Sequence, residues 1–410
     1  MKKTVILIGV LLLYFSTVDA QTLTPEQRQQ IIAEIASQDP FVRSEAIRQA
    51  IRYRIVEAAP VIEEQMWKNK TELYELSLRA LEALESPNLF RVAKQLIDSA
   101  ETHPSSPIIN DPLSLRVLAT KYLFKFGDYS TAHYVFASLR DTTKRSLSTL
   151  AFYLLKPIIQ NVPQYADSAK KEALRLVREA NLWIDRLNIL KDLLDVYGTQ
   201  MFPEIVYMFV NDPEPNGINR IAAFEMLCTL NYPQLNALLR DRLGKEIGAP
   251  YRRTIADTLL TRFGTPSDYQ FVLDYQGREP DEITRSLIGY SLKDFVPPRP
   301  SASTPVSVLL DSLISYKHQV FALGWLGDKN FVNELDNHLD NAKRHLERRD
   351  SLNTAMQVSL FQEKVNREYE HTKEKQGKGL PRDPRFVTIE GWKFLYHHAQ
   401  YILDRLPKKK

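Results

Sequence analysis

Along most of this chain apolar residues recur at intervals of three and four, the spacing that gathers them on one face of an α-helix. Trp392, Leu395, Tyr396, Ala399, Ile402, Leu403 and Leu406 fall at i, i+3, i+4, i+7, i+10, i+11 and i+14, which predicts a strongly amphipathic helix that docks as a cap. Phe331 to Arg349 and Leu352 to Lys375 read as long charged helices, the first with a narrow apolar stripe of Leu335, Leu339, Ala342 and Leu346. The pair is expected to form an antiparallel hairpin.

A longer period overlies the helical one. Arg116-x-x-Ala119-x-x-x-Leu123-x-x-Phe126-Gly127, Arg220-x-x-Ala223-x-x-x-Leu227 and Arg253-x-x-Ala256-x-x-x-Leu260-x-x-Phe263-Gly264 are copies of one pattern, and Ala223 and Ala256 lie 33 residues apart. Ala80 follows Ala46 by 34 residues, Ala119 follows Ala80 by 39, and a weaker copy at Leu190 to Gly198 lies 33 before that at Ala223. Ala and Leu four residues apart share a helix face, and the small Ala lets a neighbouring helix approach closely. Prolines at 87, 203, 233 and 266 then mark turns into second helices, expected at Asn88 to Ser99, Ser130 to Leu139, Pro203 to Val210, Pro233 to Leu243 and Pro266 to Tyr275. Each unit is a helical hairpin that cannot bury both faces alone, so the hairpins must stack.

Asp39-Pro40 followed by Val42-Arg43 and Ala46, and Asp111-Pro112 followed by Leu115-Arg116 and Ala119, resemble the first-helix pattern of the HEAT-repeat family. The resemblance covers Pro25 to Gly277 and returns at Ala322 to Asp328, while Thr143 to Ile184 and Pro280 to Pro305 depart from it. It implies an all-α fold, an α-solenoid of about seven or eight hairpins with a divergent C-terminal helical cap. It also implies a binding role, with second helices lining the concave side. Arg91, Lys94, His133, Arg240 and Gln270 are then the first residues to test as a binding surface.

The domain reading runs as follows along the chain: a signal peptide at 1–20, the repeat array at 21–295, a proline-rich linker at 296–305, and a C-terminal region at 306–410 with the repeat remnant, charged helices and capping helix. Lys2 and Lys3, the apolar run from Val5 to Phe15 and Val18-Asp19-Ala20 carry the signal reading, and the run is too short for a spanning helix. The expectation is an exported bacterial protein, periplasmic or secreted, with no integral membrane segment after signal removal. Glycine supplies 14 of 410 residues, about half the usual share of roughly 7%, which argues against a β-rich architecture. Removal of the signal segment, with Lys2, Lys3 and Asp19, leaves 52 basic against 49 acidic residues, a balance that names no nucleic-acid partner.

Candidate chemistry is sparse. Cys228 is the only cysteine, so no internal disulfide can form, and beside an apolar helical stripe it reads as a small hydrophobe. Glu334, His338 and His345 share a helix face, but histidines seven apart lie about 10 Å apart along a helix, too far to ligate one ion. His397 and His398 point about 100° apart on a helix, one toward the docked side and one toward water. Gly377-Lys378-Gly379 reads as a turn, Lys408 to Lys410 as a solvated tail, and Asn69-Lys70-Thr71 as a sequon relevant only to a eukaryotic host. Acids such as Glu63, Glu64, Asp192 and Asp195 occur at ordinary surface spacing. Tyr153, Tyr197, Tyr207, Tyr251, Tyr269 and Tyr275 are expected mainly between packed layers.

No catalytic, cofactor-binding or metal-ligating residue is assigned. The function expected is a non-catalytic scaffold or adaptor that binds an envelope or secreted protein. The alternative is a helical-repeat enzyme or a glycan-binding protein acting on an extracytoplasmic peptide or glycan. A glycan binder would present a planar row of exposed Tyr or Trp, and an enzyme a deep pocket with converging titratable groups.

Overall fold

Helix-forming spacing is met by helices throughout the computed structural model, which describes residues 23–68, 74–100, 112–140, 145–179, 183–212, 217–246, 248–381 and 383–407. The signal segment, the sequon at Asn69, most of the break between His103 and Pro112, and the Lys408 to Lys410 tail lie outside the described residues. Among those described the chain is all-α, with one isolated antiparallel bridge between Leu326 and Val387. None of their helices is long and apolar enough to cross a membrane.

The chain divides into two compact units, Met1–Met208 and Phe209–Lys410. The first holds α1 (Pro25–Glu34), α2 (Pro40–Arg52), α3 (Ala59–Lys68), α4 (Tyr74–Ala83), α5 (Leu89–Ser99), α6 (Pro112–Lys125), α7 (Ala132–Arg140), α8 (Arg145–Asn161), α9 (Pro163–Glu179) and α10 (Trp183–Tyr197), and α11 (Phe202–Asn211) runs across the boundary. Helices α2, α4, α6, α8 and α10 touch one another in succession, and α3, α5, α7 and α9 each pack on their chain neighbours. This is the contact pattern of hairpins packed side by side. Ala46, Ala80 and Ala119 are at most 1% exposed, as close helix approach requires.

The repeat is also written in the helix ends. After α2, α4 and α6 the backbone turns left-handed at Arg54, Glu85 and Gly127, and Ile55, Ser86 and Asp128 donate their N–H to the carbonyls of Ala50, Leu81 and Leu123 at 2.8 to 3.1 Å. That six-to-one bond closes the helix and satisfies a carbonyl that would otherwise be orphaned.

In the second unit α12 (Ile218–Thr229), α13 (Leu235–Leu243), α14 (Ala249–Thr258), α15 (Pro266–Gln276) and α16 (Glu282–Lys293) precede α17 (Val306–Ala322), α18 (Lys329–Glu347), α19 (Ser351–Gly377) and α20 (Ile389–Leu403). Helix α12 closes as the earlier ones do, with Asn231 left-handed and Tyr232 N–H on the Leu227 carbonyl at 3.0 Å. Helix α14 differs: a π-helical turn, Leu259–Phe263, carries it to Gly264. A Cβ at Gly264, whose φ is +51°, would stand 2.3 Å from Pro298 and 2.5 Å from the Leu260 carbonyl, so the position admits only glycine.

The π turn corrects one reading of the motif. The buried arginines Arg43 and Arg220 stand 11 residues before their left-handed closures at Arg54 and Asn231, whereas in α14 the buried arginine is Arg252, 12 before Gly264. Arg253, aligned with them by sequence, is exposed and pairs along its own helix with Asp257. A π turn absorbs one extra residue, and here it lets the helix keep both ends of the repeat in place.

Helices α17 to α20 form a closed antiparallel ring. Lys343 bonds to Asp311 at 2.8 Å and Lys317 pairs with Asp336, which sets α18 against α17. Lys364 to Glu334 (3.1 Å) and His338 to Gln357 (3.0 Å) set α19 against α18. Trp392 to Asn366 (2.9 Å) and Gln362 to Gln400 (3.1 Å) set α20 against α19. Tyr316 against Phe394 and His398 closes α20 onto α17. The expected α18–α19 hairpin is therefore half of an up-and-down four-helix bundle, and α20 is its fourth member. Phe331, Leu335, Leu339, Val358, Phe361, Phe394 and Ile402 are fully buried in it. The proline-rich segment is strapped to this bundle: Tyr401 donates to the Pro297 carbonyl at 2.6 Å, and Arg405 to those of Pro300 (3.1 Å), Ser301 (2.6 Å) and Thr304.

Candidate functional site

Most cations expected to form a binding face are already engaged within the chain. In the first unit Arg91 pairs with Glu63, and Lys94 stands 4.0 Å from Asp128 with its ammonium 5.7 Å from the Phe90 ring centroid. In the second, Arg240 bonds to Ser267 at 3.0 Å and to the buried Asp268 at 2.5 Å, while Gln270 donates to Asp274 at 2.6 Å. His133 is exposed and leans on the Tyr134 ring. Arg91, Lys94 and Arg240 thus each face an acid on another element, and Arg240 alone meets a buried carboxylate, so charge reversal there acts on the fold as well as on any partner.

A second set of charges is buried outright. Arg220 holds Glu246 with two parallel bonds, one of 3.2 Å, and Arg252 holds Glu279 at 2.6 and 2.9 Å. Arg252 also donates to the Glu246 carbonyl at 3.2 Å and Arg285 to the Glu279 carbonyl at 2.8 Å, so the bonds form a ladder from α12 to α16. Both carboxylates further accept a backbone N–H two residues on, from Gly248 at 3.3 Å and Asp281 at 3.0 Å. Burial opposes their ionisation, but the hydrogen bonds and charge of the arginines outweigh it and hold both below the usual carboxylate range. Acids saturated in this way have no proton to exchange with a substrate.

A further set of exposed apolar residues lies on the bundle. The register fixed by Trp392–Asn366 and Gln362–Gln400 sets Leu403, the last residue of α20, opposite Met356. The first turn of α19 therefore extends past the end of α20, and its outward stripe has no helix against it. Leu352, Met356 and Leu360 are 57%, 46% and 37% exposed. With Leu403 and Pro407 they line a groove of about 670 Å³. Its polar rim is Asp350, Asn353, Ser359, Glu363 and Gln400. Asp350 caps α19 through the Asn353 N–H at 3.1 Å; bonds from Asn353, with His345 adding a smaller pull, keep its carboxyl below the usual range. Glu363 accepts from the Ser359 hydroxyl at 3.2 Å. Thirteen residues separate the two acids along α19, about 20 Å at 1.5 Å per residue, so they cannot act together on one bond.

The other sequence candidates do not converge. Glu334 accepts from Lys364 and Arg385, His338 bonds to Gln357 and His345 faces Asp350 at 3.2 Å. Among the described residues no three His, Cys, Asp or Glu side chains are grouped to hold a metal ion. His398 is buried and donates Nδ1–H to the Phe394 carbonyl at 2.8 Å, while His397 is half-buried. Cys228 is partly buried, and burial pushes its thiol up, away from a reactive thiolate. Lys317 is fully buried against Asp336; burial lowers its amine to about 8, with Asp340 pulling the other way, and it does not line the groove. Trp392 stacks on Tyr369 at 5.0 Å and on Tyr396 at 4.9 Å, so these rings spend their faces on one another rather than on a sugar.

The groove residues carry a weak sequence signal: Leu352, Met356 and Leu360 recur every four positions, offset from the core stripe Val358, Phe361 and Val365. Nothing in that spacing says which stripe is left uncovered. Comparison with protein-family models finds no matching family, and comparisons with curated proteins and with solved structures find no significant match.

Proposed function

We propose that this chain is an exported, non-catalytic interaction scaffold: an α-solenoid of HEAT-like hairpins that presents a protein-binding surface on its C-terminal bundle. The observation that carries the reading is the open apolar groove of Leu352, Met356, Leu360 and Leu403, whose rim holds only well-separated carboxylates. Exposed aliphatic side chains in a contiguous stripe mark contact sites on soluble proteins. The buried acids and bases that could serve catalysis instead neutralise one another in the hairpin ladder. The test is cross-linking with mass spectrometry of the purified protein in envelope and secreted extract of its own source. One reproducible protein partner supports the scaffold. Recovery of no partner, together with turnover of a peptide or glycan, would sink it.

A further inference from the structure

We propose that the groove between α19 and α20 receives an amphipathic helix of a partner protein, about four turns long, with apolar residues at i, i+4 and i+7 and a basic residue near each end. This rests on the scaffold reading and adds the chemistry of the partner.

Three features select that occupant. Both walls are helices whose backbone groups beyond the first turn of α19 are bonded within the helix, so an extended peptide would find no ladder to join, whereas a helix satisfies its own backbone. Leu352, Met356 and Leu360 form a ridge at intervals of four that suits the grooves of another helix, and the flexible Met can adapt to its anchors. The span from Asp350 to Glu363 sets the length, about 20 Å, or close to four helical turns. The sign of the charge follows from the rim. Among the described residues the ionisable groups that line the groove are Asp350 and Glu363. Apart from the Ser359 hydroxyl, Glu363 faces solvent and is placed to meet an ammonium or guanidinium.

The experiment uses the full chain and a fluorescein-labelled 16-residue helical peptide with Leu at positions 4, 8 and 11 and Lys at both ends, read by fluorescence anisotropy. The comparison peptides carry Glu for Lys, or a central Pro. The Lys peptide should bind at least tenfold tighter than either. Leu360→Asp should weaken it tenfold or more, and Glu363→Lys should abolish the preference between Lys and Glu peptides. Circular dichroism checks both variants, and Met356→Ser replaces Leu360→Asp if the latter loses helicity. Equal binding of the Lys and Glu peptides by the wild-type chain, equal binding of the Pro peptide, or binding that survives the groove substitutions overturns the proposal. So does a dimer of the chain that Leu360→Asp converts to monomer, because the occupant is then a second copy. If no peptide binds while cross-linking still captures a protein partner elsewhere, the helix proposal fails and the scaffold reading stands.

Discussion

The hairpins α12 to α16 and the bundle α17 to α20 belong to one compact unit yet are held together by different means. Between hairpins the bonds are polar and directional: Arg220 to Glu246, Arg252 to Glu279, Arg240 to Asp268. Within the bundle polar bonds also tie the helices, but the centre is apolar, with Phe331, Leu335, Leu339, Val358, Phe361, Phe394 and Ile402 fully buried, and the rings around Phe394 join it to the rest of the unit through Trp325 at 6.1 Å, Phe295 at 5.4 Å and Tyr269 of α15 at 5.9 Å. A two-pronged ion pair accepts a single geometry, so these pairs fix how one hairpin helix sits on the next. A closed bundle defines its neighbours by closure, so its surface is free to leave an apolar stripe uncovered. The buried ion pairs and the uncovered apolar stripe therefore lie in different parts of the unit.

The comparison breaks most visibly at the ladder. Glu279→Ala strands Arg252 in a buried site and removes the acceptor of Tyr275 and of the Asp281 N–H, so a loss of about 3–5 kcal/mol is expected in urea unfolding. The bundle responds to acid instead. His398 is neutral when folded because burial pulls it down to about 4, against an ordinary 6.5; its bond to the Phe394 carbonyl opposes the shift and nearby His397 adds to it. The unfolded chain takes up the proton first, so stability falls as pH drops from 6.5 toward 4, by about 3 kcal/mol in all. In His398→Gln the difference between the urea-unfolding free energies at pH 7.5 and 4.5 should shrink by most of that amount, about 2.5 kcal/mol. Arg240→Ala, which leaves Asp268 its bonds from Asn236 and Thr265, should cost about 1–2 kcal/mol by the same assay. Leu352→Ser, in the uncovered stripe, should change stability by no more than about 0.5 kcal/mol while still weakening partner binding.

How much of this is legible in sequence depends on whether a residue acts through periodicity or through geometry. The all-α class follows from helical spacing and scarce glycine. The alanines of the repeat are legible because closeness demands a small side chain at a fixed position, and Ala46, Ala119, Ala223 and Ala256 are buried. The ladder is only half legible. Arg220 stands in the motif, but its partner Glu246 lies in a turn 26 residues later, and the π turn in α14 moves the working arginine from 253 to 252. A turn carboxylate has no periodicity to betray it. The groove is least legible, because Leu352 and Met356 are ordinary helical apolar positions. They are left uncovered because α20 ends at Leu403, one turn short of the start of α19.

The most direct measurement is the cross-linking experiment run in parallel on the wild-type chain and Leu360→Asp, with matched helicity and urea midpoints. A scaffold that binds through its bundle predicts one protein partner cross-linked near the groove in the wild type and lost in the variant. The same partner retained by the variant at the same sites would contradict that claim.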